Sequence, residues 1–535
     1  MHRGEIDFIT LGCSKNLVDA ERIMRQLEVA GWKCVHDAPE PKGEICVINT
    51  CGFIGDAKEE SINMILQMAE RKKQGKLRLL IVMGCLSERY RAELQTELPE
   101  VDAYYGKFDF ERMKDLIGTR ALPDNPRHYP RFERHLTTPA HYAYVKISEG
   151  CNRMCSYCAI PLITGRHTSR PKAEILEEVR WLVSQGVKEL NIIAQDLSSY
   201  GLDLEKRHML PELVDEMAQI PGVEWIRLHY AYPTDFPEEI LEVMAKHKNV
   251  CKYMDIALQH CTDHMLDLMR RHITRAEQDA LIKKIREKVP GICLRTTLLV
   301  GHPGETEQDF EELKEWVKTM RFDRMGCFAY SDEEGTYANK HYTDDIPQEV
   351  KEQRVAELMA IQQEISAELM QRFVGKTERV IIDRKEGDYW IGRTQYDSPE
   401  VDCEVLMEIK NQQSKMHTGD MVDVKSTKAE EFDLYGEITN KYTMLTKDLI
   451  GMVANATGMS KKKVEELLNA NNAIIREHLM AGKAIQLQGL GTLEVKEKKE
   501  RVVVLPNSGE RKVVPSKNQL VFRPVANIKD ELKNI

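Results

Sequence analysis

Between residues 142 and 330, six strand-like apolar runs alternate with amphipathic helical stretches, and few architectures satisfy that order. The runs are Tyr142–Ile147, Glu189–Ala194, Trp225–Ala231, Tyr253–Leu258, Leu294–Val300 and Arg324–Tyr330. They predict a partial (βα)6 barrel of TIM type, with its chemistry at the carboxyl ends of the strands. An amphipathic helix over 347–373 closes this unit, taken as 142–372.

The flanks read differently. A chain of 535 residues is too long for one core, so several domains are expected. Residues 6–85 carry three more strand-like runs, Ile6–Leu11, Cys46–Asn49 and Leu79–Met83. Helical patterns at about 17–30, 56–73 and 87–97 follow them, which predicts a Rossmann-like α/β domain over 1–121. The Pro-, His- and Arg-rich stretch 122–141 reads as a linker. After 373 the apolar period changes to two, over Thr377–Asp383, Tyr389–Arg393, Val401–Met407, Met421–Ser426 and Phe432–Glu437. A small all-β barrel is expected over 373–440. Residues 444–535 form an α+β unit: helices at about 446–457 and 460–481, with Thr446 and Ser460 as N-caps, then strands, a basic hairpin and a short helix.

No apolar run approaches the ~18–20 residues that cross a bilayer, and the opening residues have no leader character, so a cytoplasmic protein is expected. Thirteen cysteines, an odd number spread through a large chain, fit metal ligation and buried thiols better than disulfides. Cys151-Asn-Arg-Met-Cys155-Ser-Tyr-Cys158 lies just past the first barrel strand. Three thiolates in so short a loop can hold three irons of a 4Fe–4S cube and leave the fourth open. A zinc knuckle would want a fourth protein ligand. The second set is dispersed: Cys13, Cys51 and Cys85 each stand at or just past the end of an amino-terminal strand. In a doubly wound sheet those ends meet in one crevice, so these cysteines can hold a second cluster. The other seven, Cys34, Cys46, Cys251, Cys261, Cys293, Cys327 and Cys403, read as packing residues.

The spacing of Cys151, Cys155 and Cys158 resembles the radical-SAM superfamily. The resemblance implies that S-adenosylmethionine (SAM) binds the open iron and is cleaved to a radical. It also places SAM near Tyr157, Gln195, Asp196, Gln259, Arg295, Gly301 and Glu305. Two three-cysteine sites ahead of a small barrel, over roughly 5–438, resemble the methylthiotransferases. Among them the chain is most similar to the RimO family, whose substrate is an aspartate of small-subunit ribosomal protein 12. The matching stretches are Leu11-Gly-Cys-Ser-Lys-Asn-Leu-Val-Asp19, Asn49-Thr-Cys-Gly-Phe-Ile54, Lys146-Ile-Ser-Glu-Gly-Cys151 and Arg324-Met-Gly-Cys-Phe328. The tRNA-modifying MiaB-like enzymes usually carry a Gln-Met-Asn-like segment where this chain has Ser14-Lys15-Asn16. Ala257 and His302 depart from the family pattern, where Pro and Phe are commoner. The family implies two SAM molecules, a methyl donor and a radical source. It further implies a sulfur carried at the second cluster, and an electron donor of flavodoxin or ferredoxin type.

Charge gives an independent view of the substrate. Residues 373–440 hold 15 acidic and 9 basic side chains. A barrel of the TRAM (OB-like) kind that binds tRNA should be basic, whereas an acidic one suits a basic ribosomal protein. Residues 441–535 instead hold 17 basic and 10 acidic residues. Residues 444–535 resemble the HU/IHF family of DNA-bending proteins in the helix pair, Gln488-Gly-Leu-Gly-Thr492 and Pro506-Asn-Ser-Gly509. The resemblance implies a homodimer and an arm in which Pro506 wedges between base pairs, flanked by Arg501, Arg511 and Lys512. Val504 and Leu505 stand where an Arg-Asn pair is common. A nucleic-acid tether (DNA or RNA) and a module that only dimerises both remain open. So do the alternative functions: a tRNA methylthiotransferase, and a binding protein dominated by its tail.

Overall fold

Apolar runs that are buried on both faces belong in parallel sheets covered by helices, and the first two sheets of the chain are of that kind. The computed structural model describes residues 4–107, 113, 116–117, 132–409, 416–439, 446–498, 501–504, 511–514 and 516–531. The first sheet contains β1 (Glu5–Thr10), β2 (Lys33–His36), β3 (Ile45–Thr50), β4 (Leu79–Gly84) and β5 (Ala103–Tyr104). Its order is β2-β1-β3-β4-β5, parallel throughout. Helices α1 (Ser14–Val29), α2 (Gly55–Lys73) and α3 (Cys85–Glu97) follow β1, β3 and β4. The strand order reverses direction between β1 and β3, and in such sheets that switch point opens a crevice at the carboxyl ends.

A short strand pair, β7 (Ser148–Glu149) with β8 (Thr168–Ser169), frames the second cysteine loop. The second sheet is built from β6 (Tyr142–Lys146), β9 (Glu189–Ile193), β10 (Trp225–Ala231), β11 (Val250–Gln259), β12 (Cys293–Val300) and β13 (Arg324–Ala329). It runs in the order β13-β12-β11-β10-β9-β6, again parallel. Helix α4 (Lys172–Ser184) and further helices cover it, and α5 (Gln348–Met370) packs across β13. Its core is the largest of the molecule, with Val145, Leu190, Ile226, Ile256 and Leu294 all but inaccessible.

Five antiparallel or mixed strands then close a barrel: β14 (Thr377–Glu386), β15 (Tyr389–Thr394), β16 (Val405–Glu408), β17 (Met421–Ala429) and β18 (Leu434–Ile438). The barrel docks on the amino ends of the second sheet, away from its carboxyl-end chemistry. Ile381 packs with Trp225, Cys251, Tyr253 and Cys293, which start or lie early in their strands. Arg393 pairs with Glu189 at 2.7 Å, and Arg324 with Asp397 at 2.6 Å.

The end of the stretch read as a linker is a packed strap. Arg134 is buried and reaches Glu21 on α1 at 2.9 Å, and His141 reaches Asp383 of the barrel at 2.7 Å. Residues up to 440 form one unit and 441–535 a second. The second has α6 (Thr446–Thr457), α7 (Lys461–Met480) and a sheet β19-β20-β23 of Ile485–Leu487, Gly491–Lys498 and Lys517–Pro524. It also holds a hairpin of β21 (Arg501–Val504) with β22 (Arg511–Val514) and a final helix, Ala526–Glu531. Ser460 caps α7, accepting a hydrogen bond from the Lys463 amide. Among the described residues no helix is long and apolar enough to cross a membrane.

Candidate active site

Parallel strands deliver their following loops to one rim, and both cysteine sets use this. Cys13 follows β1 and is exposed, while Cys51 follows β3 and Cys85 follows β4, both buried. The three thiols sit within electrostatic reach of one another. Burial pushes the Cys85 thiol up to about 12, with Cys13 and Cys51 adding to the rise against the pull of Lys107. Burial also raises Cys51, again with Cys13 beside it. The backbone around them is tightly packed. Gly12 has φ +93°, and a Cβ there would lie 2.7 Å from Cys51 Cβ and 2.9 Å from its Sγ. A Cβ on Gly52 would lie 2.7 Å from the Leu86 amide nitrogen. Asn16 donates to the Thr50 carbonyl at 3.1 Å, and its Oδ1 is 3.4 Å from Cys85 Sγ.

The second set is equally gathered. Burial pushes Cys151 up to about 12, and burial with Cys155 and Cys151 close by raises Cys158. Three gathered thiols in each set are donors of the kind that ligate iron–sulfur clusters. Among the described residues, no three His, Cys, Asp or Glu side chains are arranged to hold a single metal ion.

Several residues missed by the sequence reasoning surround Cys155. Arg271 is fully buried, with Nη1 3.2 Å from Cys155 Sγ and 3.3 Å from Tyr157 Oη. Its guanidinium lies 4.0 Å from the Tyr232 ring centroid, and the Tyr232 hydroxyl is 3.4 Å from the same sulfur. A cation and a hydroxyl here would stabilise a negative cluster. Nothing in Met269-Arg270-Arg271-His272 marks one arginine as buried. Only the fold, which brings it 116 residues back to Cys155, shows it.

The residues expected near SAM separate into groups. Gln195 and Asp196 follow β9, Gln259 ends β11 and Gly301 follows β12, so all four stand at carboxyl ends. Gln195 accepts from the Gly150 amide at 3.1 Å and donates to Glu149. Asp196 pairs with Arg153 inside the cysteine loop at 2.7 Å. Gln259 is 9% exposed with φ +73°. Tyr157 packs with Met265, Met269, Leu299 and Tyr330. Arg295 stands apart from these four. It is the third residue of β12, paired with Asp255 at 3.1 Å and with Asp402 at 3.5 Å. Glu305 is also committed elsewhere, accepting from the Gly301 amide and pairing with Arg354 at 2.6 Å and His260 at 3.2 Å. It holds the turn after β12 against α5. His302, one of the two departures, is buried among Tyr157, Tyr330 and Tyr342 and contacts Ser156 Oγ at 2.9 Å. Burial lowers it to about 4, so it is neutral at pH 7.

A cavity of about 290 Å³ lies against Cys155, Cys158, Met154 and Tyr337. A larger one, about 750 Å³, opens between α1 and the β7–β8 strand pair, lined by Lys107, Lys146, Glu149, Arg166 and Arg170 among others. On its wall Lys107 pairs with Glu149 at 2.7 Å, and Lys146 with Glu149 at 2.7 Å and with Asp19. Burial works to raise the Glu149 carboxyl, but the two ammoniums override it and hold it at about 2. The seven cysteines read as packing residues are all buried. In the tail, Arg501, Arg511 and Lys512 lie on the hairpin strands. Pro506 falls outside the described residues.

Comparisons with known proteins agree with this layout. A model of the Radical SAM superfamily matches residues 145–317, and the family described as "Uncharacterized protein family UPF0004" matches 5–106. A TRAM domain matches 374–439, and the family "Bacterial DNA-binding protein" matches 444–533. The radical-SAM match implies a 4Fe–4S cluster and SAM. A protein of Phocaeicola vulgatus named ribosomal protein uS12 methylthiotransferase RimO is 63% identical over 438 residues, 82% of this chain and 100% of the relative. One of the same name from Bacteroides thetaiotaomicron is 62% identical over 442 residues, 83% of this chain and 100% of that protein. Among solved structures, the radical S-adenosylmethionine methyltransferase TsrM from Kitasatospora setae is similar at 15% identity and a TM-score of 0.45. It covers 62% of this chain and 75% of its own. At this identity and coverage the chain belongs to the RimO family of radical-SAM methylthiotransferases, with a bacterial DNA-binding-protein module following in the same chain.

Proposed function

We propose that this chain attaches a methylthio group to the β-carbon of an aspartate in ribosomal protein uS12, using two 4Fe–4S clusters and two molecules of SAM. The observation that carries the reading is the placement of Cys13, Cys51 and Cys85 at the switch point of one parallel sheet, within the same unit as Cys151, Cys155 and Cys158. In this reading Cys13, Cys51 and Cys85 hold one cluster, and Cys151, Cys155 and Cys158 hold the other, where SAM binds. Tyr157, Gln195, Asp196, Gln259 and Gly301 line the SAM site; Arg295 and Glu305 brace it. When bound, these groups supply a radical that removes a hydrogen from an unactivated carbon and the sulfur that takes its place, which no side chain could do. The protein's own work is positional. Asp196 holds Arg153 and with it the cysteine loop. Arg271 and Tyr232 set the charge beside Cys155. The Arg22–Glu178 ion pair ties α1 to α4, and with them the two domains that carry the cysteine sets.

The acidic barrel and the names of the relatives favour a protein over tRNA as substrate. A ribosomal substrate places the enzyme in the cytoplasm, supplied with electrons by a flavodoxin- or ferredoxin-type donor. The tail is proposed as a homodimerising module that binds nucleic acid through Arg501, Pro506, Arg511 and Lys512. Leu449, Met452, Leu467, Ile474, Leu520 and Phe522 are all exposed, an apolar surface that a second copy would cover.

Anaerobic reconstitution tests the cofactors: about eight irons per chain are expected, and about four would remove the reading. Mass spectrometry of uS12 and of bulk tRNA after incubation with SAM and a reductant tests the substrate. Modification of tRNA and not of uS12 would overturn the assignment.

A further inference from the structure

Lys15 is the second residue of α1, two positions past Cys13, and its side chain crosses to the radical-SAM sheet. It is only 8% exposed, yet no hydrogen-bond or ion-pair partner engages its ammonium among the described residues. Its Nζ lies over the ring of Tyr230, 3.1 Å from the centroid. An ammonium without a counter-ion is poorly placed at a helix amino terminus, the end whose dipole repels cations. The first turn of α1 carries no acid to offset it. Its surroundings sharpen the contrast. Three cations bear on the buried His229: Arg227, Arg295 and Lys15. Arg227 is matched by Glu189 at 2.9 Å and Arg295 by Asp255 at 3.1 Å. Lys15 alone of the three has no carboxylate.

The groups beside it are open to solvent. Tyr230 is 37% exposed and Cys13 is exposed. Tyr230 ends in a left-handed turn at φ +64°, held by its amide donating to Asp255 at 3.2 Å, so the ring is presented beneath the ammonium. Two residues on, the Tyr232 hydroxyl touches Cys155 Sγ. One residue after Lys15, Asn16 touches Cys85 Sγ. Lys15 and Tyr230 thus sit on the two chain segments whose next residues touch one cysteine of each trio.

We propose that Lys15 is the binding group for the side-chain carboxylate of the substrate aspartate, seated on the Tyr230 ring between the two sites. This rests on the function proposed above and adds the recognition of the substrate's acid. Holding the carboxylate fixes the adjoining β-carbon, the atom to be modified, and leaves its C–H bonds free. The charge missing around Lys15 is supplied only when substrate arrives, so the site discriminates an acid from an amide.

The test uses reconstituted, full-length enzyme with uS12 and with uS12 in which the target aspartate is asparagine or glutamate. Readouts are methylthio product, 5′-deoxyadenosine and iron content. The unchanged enzyme should prefer aspartate to asparagine by roughly 30-fold or more in kcat/KM. Lys15→Met should keep its iron and its substrate-free SAM cleavage, lose most of its activity on aspartate, and treat aspartate and asparagine alike. Lys15→Arg, which keeps the charge, should recover a preference for the acid. A Lys15→Met enzyme with undiminished preference overturns the inference while leaving the function intact. Equal losses on both substrates would assign Lys15 to holding the two domains together and also overturn it. Should Lys15→Met lose its iron, Lys15→Arg carries the test, and its failure to prefer aspartate refutes the inference. If the unchanged enzyme forms 5′-deoxyadenosine but never modifies uS12, the proposed function itself falls, and the inference with it.

Discussion

Replacing Glu178 by Gln is expected to loosen the joint between the two cysteine-bearing domains. Glu178 lies on α4 with a fully inaccessible side chain, and three arginines converge on it. Arg170 is at 2.6 Å, Arg22 of α1 at 3.2 Å and Arg134 of the strap at 3.2 Å. Burial works to raise the carboxyl, but the guanidiniums of Arg170, Arg134 and Arg22 override it and hold it at about 2, against an ordinary 4.5. A shift of that size corresponds to roughly 3 kcal/mol of stability. Breaking a buried ion pair by removing one partner costs about 3–5 kcal/mol, so both routes give the same scale. Because the folded value is the lower one, the contribution is complete above 4.5 and disappears as pH falls toward 2. Urea unfolding of the unchanged protein and Glu178→Gln at pH 7 should show a lower midpoint at similar slope. The gap should narrow progressively below pH 4.5. Since Cys13 is the residue that precedes α1, methylthio transfer should fall more than 5′-deoxyadenosine formation. An unchanged midpoint at pH 7, or a gap of the same size at pH 7 and pH 3, would refute the reasoning.

Gly12→Ala should strip iron from the first cysteine set. Its φ of +93° costs a β-carbon about 1–2 kcal/mol, and the new atom collides with Cys51; iron analysis should fall by about four per chain. His302→Phe should flatten the acid limb of stability. The neutral folded imidazole, lowered to about 4, loses stabilisation as pH falls from about 6.5 to 4, and phenylalanine has no such window in a pH series of melts. Ending the chain after residue 440 should leave the melting of the enzyme body intact and convert a dimer to a monomer in sedimentation, because the apolar residues exposed on α6, α7 and β23 go with the tail.

Long periodic segments were readable, and what they omitted has a physical pattern. The runs at Ile6, Cys46 and Leu79 mark β1, β3 and β4 because their residues are buried on both faces. Strand β2 is four residues of mixed polarity at the sheet edge, and β5 is two residues, so neither carries a period. Helix α1 starts at Ser14, earlier than its apolar stripe, because Ser14-Lys15-Asn16 are polar and carry no apolar period. The run placed at Val401–Met407 becomes β16, Val405–Glu408, since Val401 is 62% exposed beyond a turn at Glu400. Arg134 and His141 looked like linker residues because the carboxylates that bury them, Glu21 and Asp383, lie 113 and 242 positions away. The same remoteness hid Arg271, Tyr232 and Lys15. Cysteines at strand ends were legible because their meaning depends only on local position and the rule that parallel strands share a rim.

Two cysteine sets that perform separate parts of one reaction on uS12 should be separable by substitution. The most direct test is mass spectrometry of uS12, with 5′-deoxyadenosine measured in the same tubes, for reconstituted unchanged enzyme, Cys51→Ala and Cys155→Ala. The account predicts methylthiolated uS12 from the unchanged enzyme only. It predicts 5′-deoxyadenosine from the unchanged enzyme and Cys51→Ala, and neither product from Cys155→Ala. Methylthiolated uS12 made by Cys51→Ala at the level of the unchanged enzyme would contradict it.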